Sequence, residues 1–417
     1  MELTNEQGIS DAAIREAVHQ SLAGRRIKKA LLLPPDCTRA FSGGGKLAAH
    51  YYRALTEGAG ALVDVMPAVG THFPMTRAEC ESFFEGAIPF ERVVHHSWRS
   101  DVEKLGEVPA DFVSHVSEGL VSEKIDVEIN RRILDPAYDI IISIGQVVPH
   151  EVVGMANYSK NIFVGCGGHS MINSSHMLGA FWGAERLMGK DFSPVRKVFD
   201  YAEERFLSKL PILYVLTVTT VRDGTLLIHG LYAGRERALF EKAVALSQQK
   251  NISYVDKPIQ RALVWLDPHE FRSTWLGNKA IYRTRMALAD GGELFVLAPG
   301  LRQFGEDAEN DALIRRYGYR GRLKILELIK TEAALRENLS VAAHLIHGSS
   351  DGKFSITYCT EQLSEAEVRG VGFNYLPFEQ ARARFKPETL RDGWNTSDEG
   401  DIYSISNPAL GMWALRK

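Results

Sequence analysis

The stretch Gly145–His176 (GQVVPHEVVGMANYSKNIFVGCGGHSMINSSH) places three histidines and one lysine in one short segment. His150, Lys160 and His176 have the types to form a site, because imidazoles titrate near neutral pH, trade protons in pairs and bind metal ions. Two further polar sets stand upstream, Pro34-Pro35-Asp36-Cys37-Thr38-Arg39 and Gly70-Thr71-His72. The run Gly165-Cys166-Gly167-Gly168 adds a backbone able to approach a phosphate closely and offer its N–H groups, although such clusters are often plain turns.

The elements that must hold these residues follow from the apolar pattern. Asp139–Ile144 (DIIISI) predicts a buried strand ended by a glycine, and Lys160–Val164 (KNIFV) predicts a second. Lys29–Leu33 predicts a strand, Gly45–Glu57 a helix, Ala61–Val69 a strand and Met75–Phe84 a helix. This alternation implies an α/β fold with a parallel or mixed sheet covered by helices. It puts the polar sets in loops that leave consecutive strands, where such sheets bind ligands.

Ser10 reads as the cap of an amphipathic helix reaching Leu22, which is no signal peptide. His95-His96 closes a further short strand, and adjacent side chains there point to opposite faces, which disfavours a metal pair. Ile212–Gly234 reads as a hairpin turned at Arg222-Asp223-Gly224, and Glu236–Gln249 as an amphipathic helix. From about Val255 the pattern restarts with a strand Arg261–Leu266, a helix through Ala289, a Gly291-Gly292 turn and a strand Leu294–Ala298.

At 417 residues, with 45% hydrophobic and 24% charged content, the chain can bury a large core and is expected to fold as two domains. A net charge of -3 without a concentrated basic run argues against nucleic-acid binding. No run approaches the roughly 18 apolar residues of a membrane span. Four widely spaced cysteines make neither a disulfide framework nor a CxxC metal site, so a reducing cytoplasm is expected.

Taken singly, each candidate has an ordinary explanation. A lone histidine is usually a hydrogen-bonding group, and His169, His229, His269, His344 and His347 are read so. Lys160 alone would be an edge lysine, and Asp-x-Thr-Arg a turn with a helix cap. The combination is what points to function.

That combination resembles the lactate racemase family. It comprises Asp36-x-Thr38-Arg39, Gly70-Thr71-His72, Pro149-His150 with Gly154 and Lys160 following, and His176. The resemblance continues to Lys279 ahead of Gly291-Gly292, so it spans nearly the whole chain. It implies a two-domain, lactate-racemase-like fold with mixed sheets covered by helices and the site in the cleft between domains. The expected division is a cofactor-binding catalytic domain over residues 1–255, a C-terminal α/β domain over 256–370, and a tail over 371–417 returning to the first domain.

The family's cofactor is a nickel-pincer nucleotide, a pyridinium-3,5-bisthiocarboxylic acid mononucleotide holding Ni2+. By resemblance Lys160 tethers it as a thioamide and His176 is the protein's nickel ligand. Soft sulfur donors with one imidazole in a plane suit Ni(II). The implied reaction inverts the C2 carbinol of a 2-hydroxy acid by proton-coupled hydride transfer. Such inversion needs a base for the hydroxyl proton in each of two substrate orientations, and His72 and His150 match the family's pair. Arg39 and Lys279 would anchor the substrate carboxylate. Asp36 would orient Arg39 or an imidazole, or cap a helix, while Thr38 and Gly165–Gly168 are candidates for the cofactor's phosphate.

The chain departs from the family in three places. Asn157-Tyr158-Ser159 stands where members commonly carry a glycine pair, Leu276 where lactate racemases carry a glutamine, and Leu339 where a pocket tryptophan falls. Losing two bulky pocket groups points to a substrate larger than lactate, an aldonate such as gluconate or a longer aliphatic hydroxy acid. A lactate or malate racemase is one alternative, and a conventional Zn(II) or Fe(II) hydrolase or dehydratase another. The second is disfavoured because Gly154 stands where a second histidine of H-E-x-x-H belongs.

Overall fold

The computed structural model describes residues 1–222, 224–397 and 400–416. Asp223, at the centre of the expected hairpin turn, lies outside the described residues. The chain forms two compact units, Met1–Trp182 with Leu187–Asn251, and Gly183–Arg186 with Ile252–Lys417. Among the described residues no helix is long and apolar enough to cross a membrane.

The first unit is built on a six-stranded sheet of β1 (Glu2–Thr4), β2 (Lys29–Leu33), β3 (Leu62–Val65), β4 (Ile140–Gln146), β5 (Ile212–Arg222) and β6 (Thr225–Gly234). Their order across the sheet is β1-β6-β5-β4-β2-β3. β3, β2, β4 and β5 run parallel, while β5–β6 and β6–β1 pair antiparallel. Alternate residues of the parallel strands feed two cores, which is why these strands read as near-continuous apolar runs. Leu31, Leu33 and Ile141 point into one core. Ala30, Leu32, Ile140 and Ile142 point into the other.

Helices close both faces: α1 (Asp11–Leu22), α2 (Gly44–Arg53), α3 (His169–Trp182), α4 (Pro194–Ala202) and α5 (Arg237–Asn251). The predicted cap at Ser10 is present, its side chain accepting from the Ala13 N–H.

One predicted strand is absent. Asn161–Gly165 is a π-helical turn with Lys160 in helical geometry at its start. A short buried apolar run does not distinguish strand from helix by periodicity. Here Asn157 and Tyr158 carry the left-handed φ values +68° and +58°, which bend the chain before the run begins. His95-His96 likewise ends no strand, since only a bridge from Val93 to Val65 precedes it.

The second unit holds a sheet of β7 (Ile259–Trp265), β8 (Leu288–Leu297), β9 (Ser355–Thr360), β10 (Asn374–Pro377), β11 (Gly393–Ser397) and β12 (Gly400–Ile405), ordered β10-β9-β8-β7-β12-β11. The expected helix through Ala289 is instead two short helices, Thr274–Gly277 and Lys279–Tyr282, after which β8 already begins at Leu288. Gly291, at φ +76°, lies inside that strand rather than before it. The final segment belongs to the second unit. β12 pairs in parallel with β7, and Met412–Leu415 pairs with Ile252–Val255.

Candidate active site

The connection from β2 runs to β3 on one side and that from β4 runs to β5 on the other, so a topological switch point lies between β2 and β4. The crevice beyond the carboxyl ends of such strands is where open α/β sheets bind ligands. The loops after β2, β3 and β4 carry Asp36, His72 and His150.

Asp36 caps the 3-10 turn Cys37–Ser42 and is buried. One carboxylate oxygen accepts from the Thr38 N–H at 3.0 Å and from the Thr38 hydroxyl at 2.5 Å. The other accepts from His72 Nδ1 at 2.7 Å. Burial opposes ionisation of Asp36, but the adjoining His72, the Thr38 hydrogen bond and the Arg39 guanidinium outweigh it and hold the carboxyl below its usual range. An ionised carboxylate can only accept, so His72 carries a proton on Nδ1, and in the neutral ring Nε2 keeps the lone pair. Thr38 therefore orients Asp36. The helix-cap and imidazole-orienting readings of Asp36 both hold. Arg39 follows in a half-buried, non-helical conformation at φ -110° and ψ 40°.

The His72 loop is fastened from beneath. Ala68 N–H donates to the Pro34 carbonyl at 2.8 Å, and Gly70 N–H to the Gly165 carbonyl at 2.8 Å. The first bond joins the loops after β2 and β3, and the second joins the His72 loop to the π turn that follows Lys160. Gly70 has φ +58°, and a side chain there would press on the Val164 carbonyl, so glycine fits this approach.

His150 sits in a two-residue ladder with Gly154 and is buried. Its Nδ1 accepts from the Val152 N–H at 3.1 Å, which leaves the neutral ring's proton on Nε2. The Glu151 carboxylate lies 3.6 Å from the same nitrogen. His72 and His150 are thus held in opposite tautomers, one presenting a lone pair and the other an N–H.

Lys160 enters its π turn beside Asn161, whose amide donates to the Leu33 carbonyl at 3.0 Å and to Ser143 Oγ at 2.9 Å. Those two acceptors are the last residue of β2 and the middle residue of β4, so the turn is pinned to both strands. The Lys160 side chain is half-buried. Loss of hydration, followed by the positive charge of Arg39, pushes its ammonium down to about 8, against the opposing pull of Glu151 and Asp36. The neutral, nucleophilic form is therefore about a tenth of the amine at pH 7, far more than for an ordinary lysine.

His176 lies on α3, half-buried, with Nδ1 2.7 Å from the Ile172 carbonyl one turn back. A carbonyl only accepts, so Nδ1 carries the hydrogen and Nε2 keeps its lone pair, the form a metal ligand needs. Burial, then the charge of Lys160, push this imidazole down to about 4, so the ring is neutral. Gly179 on the same helix lets the Val152 carbonyl approach to where a side chain would stand, which brings α3 against the His150 loop.

The expected phosphate role of Gly165–Gly168 meets a different arrangement. Cys166 N–H is bonded to the Asn161 and Ile162 carbonyls, and Gly168 N–H to Glu128 O at 3.2 Å. The Ser170 N–H, at the start of α3, is taken by the Glu128 carboxylate at 2.9 Å. Added Cβ atoms would strike Ala68 at Gly165, the Phe163 carbonyl at Gly167 and Glu128 at Gly168. These glycines serve close packing. His96 is likewise structural, with Nε2 3.1 Å from the Gly167 carbonyl and Nδ1 2.9 Å from the Asn130 amide.

Asp36, Arg39, His72, His150, Lys160 and His176 thus belong to one unit and are linked by contacts or mutual electrostatic influence. Glu151, Asn161 and Arg196 join them, although nothing in their spacing marked them beforehand. Lys279 belongs to the second unit, where it is buried with its amine 3.9 Å from the Glu270 carboxylate and 5.2 Å from the centre of the Phe271 ring.

Residues 6–187 match the lactate racemase N-terminal domain family. No curated protein matches the chain. A crystal structure of a protein from Thermotoga maritima is similar over 99% of this chain and 100% of its own, at 25% identity and a TM-score of 0.86. The lactate racemase apoprotein from Thermoanaerobacterium thermosaccharolyticum is similar over 99% of this chain and 94% of its own, at 16% identity and a TM-score of 0.68, a likeness of fold. The polar set gathers at the switch point of the matched domain, and over residues 6–187 the chain is similar to the lactate racemase N-terminal domain.

Proposed function

We propose that the protein is a 2-hydroxy acid racemase or epimerase that works with a lysine-tethered nickel-pincer nucleotide. The observation that carries this reading is the pair of oppositely poised imidazoles, His72 on Asp36 at 2.7 Å and His150 on the Val152 N–H at 3.1 Å. They share one unit with an amine of depressed basicity and an imidazole whose Nε2 is left free by its backbone bond.

The residues suit the group. Lys160 would supply the amine for the thioamide, and His176 Nε2 would supply the protein's one ligand to nickel. Among the described residues no three His, Cys, Asp or Glu side chains gather as metal ligands, which fits a metal whose other donors come from an organic carrier. When bound, the cofactor supplies an acceptor for the hydride on the substrate's C2.

The remaining work falls to the chain. In one substrate orientation His72 Nε2 takes the hydroxyl proton while Asp36 steadies the imidazolium. The Nε2–H of His150 is placed to donate to the substrate's oxygen, and in the inverted orientation the two exchange tasks. Arg39 offers a planar fork to the carboxylate, and Lys279 is the proposed second anchor. Leu276 and Leu339, in place of the glutamine and tryptophan of lactate racemases, support an aldonate or a longer aliphatic hydroxy acid as substrate.

The test is to load the protein with the nickel-pincer nucleotide and read three quantities. These are covalent mass on the Lys160 peptide, nickel content, and loss of optical purity across a panel of chiral 2-hydroxy acids. The expected result is an adduct, bound nickel and inversion of at least one acid. His72→Ala and His150→Ala should each lose about 10²- to 10⁴-fold of the rate with adduct and nickel unchanged. A loaded protein that inverts no 2-hydroxy acid, or one whose rate survives both histidine substitutions, would refute the reading.

A further inference from the structure

Where the family commonly places a glycine pair, this chain places Asn157 and Tyr158, and both residues take the left-handed conformation, φ +68° and +58°. A residue with a side chain is strained in this conformation, so something must hold them there. Arg196 on α4, fully buried, supplies the hold. Its Nη1 donates to Ser159 Oγ at 3.0 Å, and its Nη2 to the carbonyls of Met155 at 2.8 Å and Asn157 at 3.1 Å. Ser193, the cap of the same helix, donates its hydroxyl to the Val153 carbonyl at 2.8 Å.

The two left-handed residues are gripped further. The Asn157 amide occupies the space that a side chain at Gly145 would fill. Tyr158 is buried between Tyr214 and Phe240, at 4.3 and 5.2 Å between ring centres, with its hydroxyl donating to the Arg235 carbonyl at 2.8 Å. The guanidinium of Arg196 itself lies over Phe240 at 4.5 Å.

We infer that Arg196 is a positioning residue for Lys160, clamping the 155–159 loop in its left-handed path and adding a fixed positive charge that enlarges the neutral share of the Lys160 amine available for attachment. This rests on the reading of Lys160 as the tether. The charged groups that act on Lys160 come from three elements: Arg39 and Asp36 from the turn after β2, Glu151 from the loop after β4, and Arg196 from α4. Of the two cations, Arg196 alone also bonds the backbone that leads into Lys160.

The test uses the full-length apoprotein and trace acetylation with isotopically labelled acetic anhydride, with the Lys160 peptide read by mass spectrometry across pH. Half-labelling of wild type is expected near pH 8. Arg196→Met should raise that midpoint and slow labelling several-fold below it. Arg237→Met is the control. Arg237 also lies over Phe240 but bonds Asp191 and Asp200, and losing it should leave the midpoint in place.

An unchanged midpoint in folded Arg196→Met, or an equal shift in the Arg237 control, overturns the inference. Should Arg196→Met fail to fold, Arg196→Lys decides. It keeps the charge but not the fork, so hydrogen exchange across residues 155–160 should quicken and the midpoint should rise less. No change in either would sink the proposal. Attachment is read separately from the mass of the loaded protein, and its absence at Lys160 would remove the tether reading while leaving the labelling result intact.

Discussion

His72 Nδ1 and the buried Asp36 carboxylate stand 2.7 Å apart, a contact between loops that leave two adjacent parallel strands. The bond fixes which ring nitrogen faces away from the sheet and places a counter-charge behind any proton the ring takes up.

Replacing that carboxylate by an amide keeps the shape and removes the charge. Asp36→Asn should therefore reduce the inversion rate about 10- to 100-fold while leaving attachment at Lys160 unaltered. Stability carries a second sign. The folded carboxyl titrates below its unfolded value, so its contribution is present above the unfolded value and is lost as pH falls through the folded one. The variant should be less stable than wild type at neutral pH, with the gap closing in acid, as thermal melts across pH will show.

How much of this was legible beforehand differs by element. The strand Lys29–Leu33 and the run Ile140–Ile144 were readable because parallel strands covered on both faces are apolar without interruption. Their exits then put Asp36 and His150 at loop positions by simple succession. The π turn after Lys160 was not readable, since its apolar core Ile162–Val164 has the same composition as a strand, and its path is decided by Asn157, Tyr158 and a clamp from Arg196. An arginine in a helix that begins with Ser193-Pro194 reads as a solvated residue, and only tertiary packing shows it buried. The packing of the glycines 165–168 was hidden for a related reason. Sequence cannot tell a glycine that faces a ligand from one that faces Ala68, Phe163 or Glu128.

His176 tests the division of labour between tether and ligand. Its Nδ1 is committed to the Ile172 carbonyl at 2.7 Å, so Nε2 is the nitrogen free to bind an ion. His176→Ala should lose nickel while the covalent mass on the Lys160 peptide persists. Metal analysis and peptide mass on one loaded sample separate the outcomes, and parallel loss of both would mean that the helix, rather than the ligand, had been disturbed.

Arg39 is the proposed first-unit anchor, with a fork able to grip a carboxylate in two places. Arg39→Ala should lower kcat/KM for 2-hydroxy acids by about 30-fold, equivalent to about 2 kcal/mol for a desolvated anchor. Arg39→Lys should recover little, because an ammonium is a point charge without the fork. Steady-state rates on any accepted substrate check both, and a Lys variant equal to wild type would remove Arg39 from the anchor role.

Lys160 gives a prediction in which removing a functional group stabilises the fold. Its ammonium is pushed down to about 8 in the folded protein by burial and by Arg39, whereas an unfolded lysine titrates near its ordinary value of about 10.4. Between those values the unfolded chain binds more protons, so wild-type stability rises with pH across that window. Below it both states are protonated, and the folded protein bears the full penalty of a poorly hydrated charge. Lys160→Met keeps the length of the side chain without the charge. The apoprotein variant should therefore melt higher than wild type at pH 7, with the advantage shrinking as pH climbs from about 8 toward about 10. The same variant should gain no covalent mass on exposure to the nucleotide. Thermal melts over that pH range decide the first claim and intact mass the second, and a Met variant less stable than wild type at pH 7 would mean that the Lys160 ammonium is well solvated and was never primed for attachment.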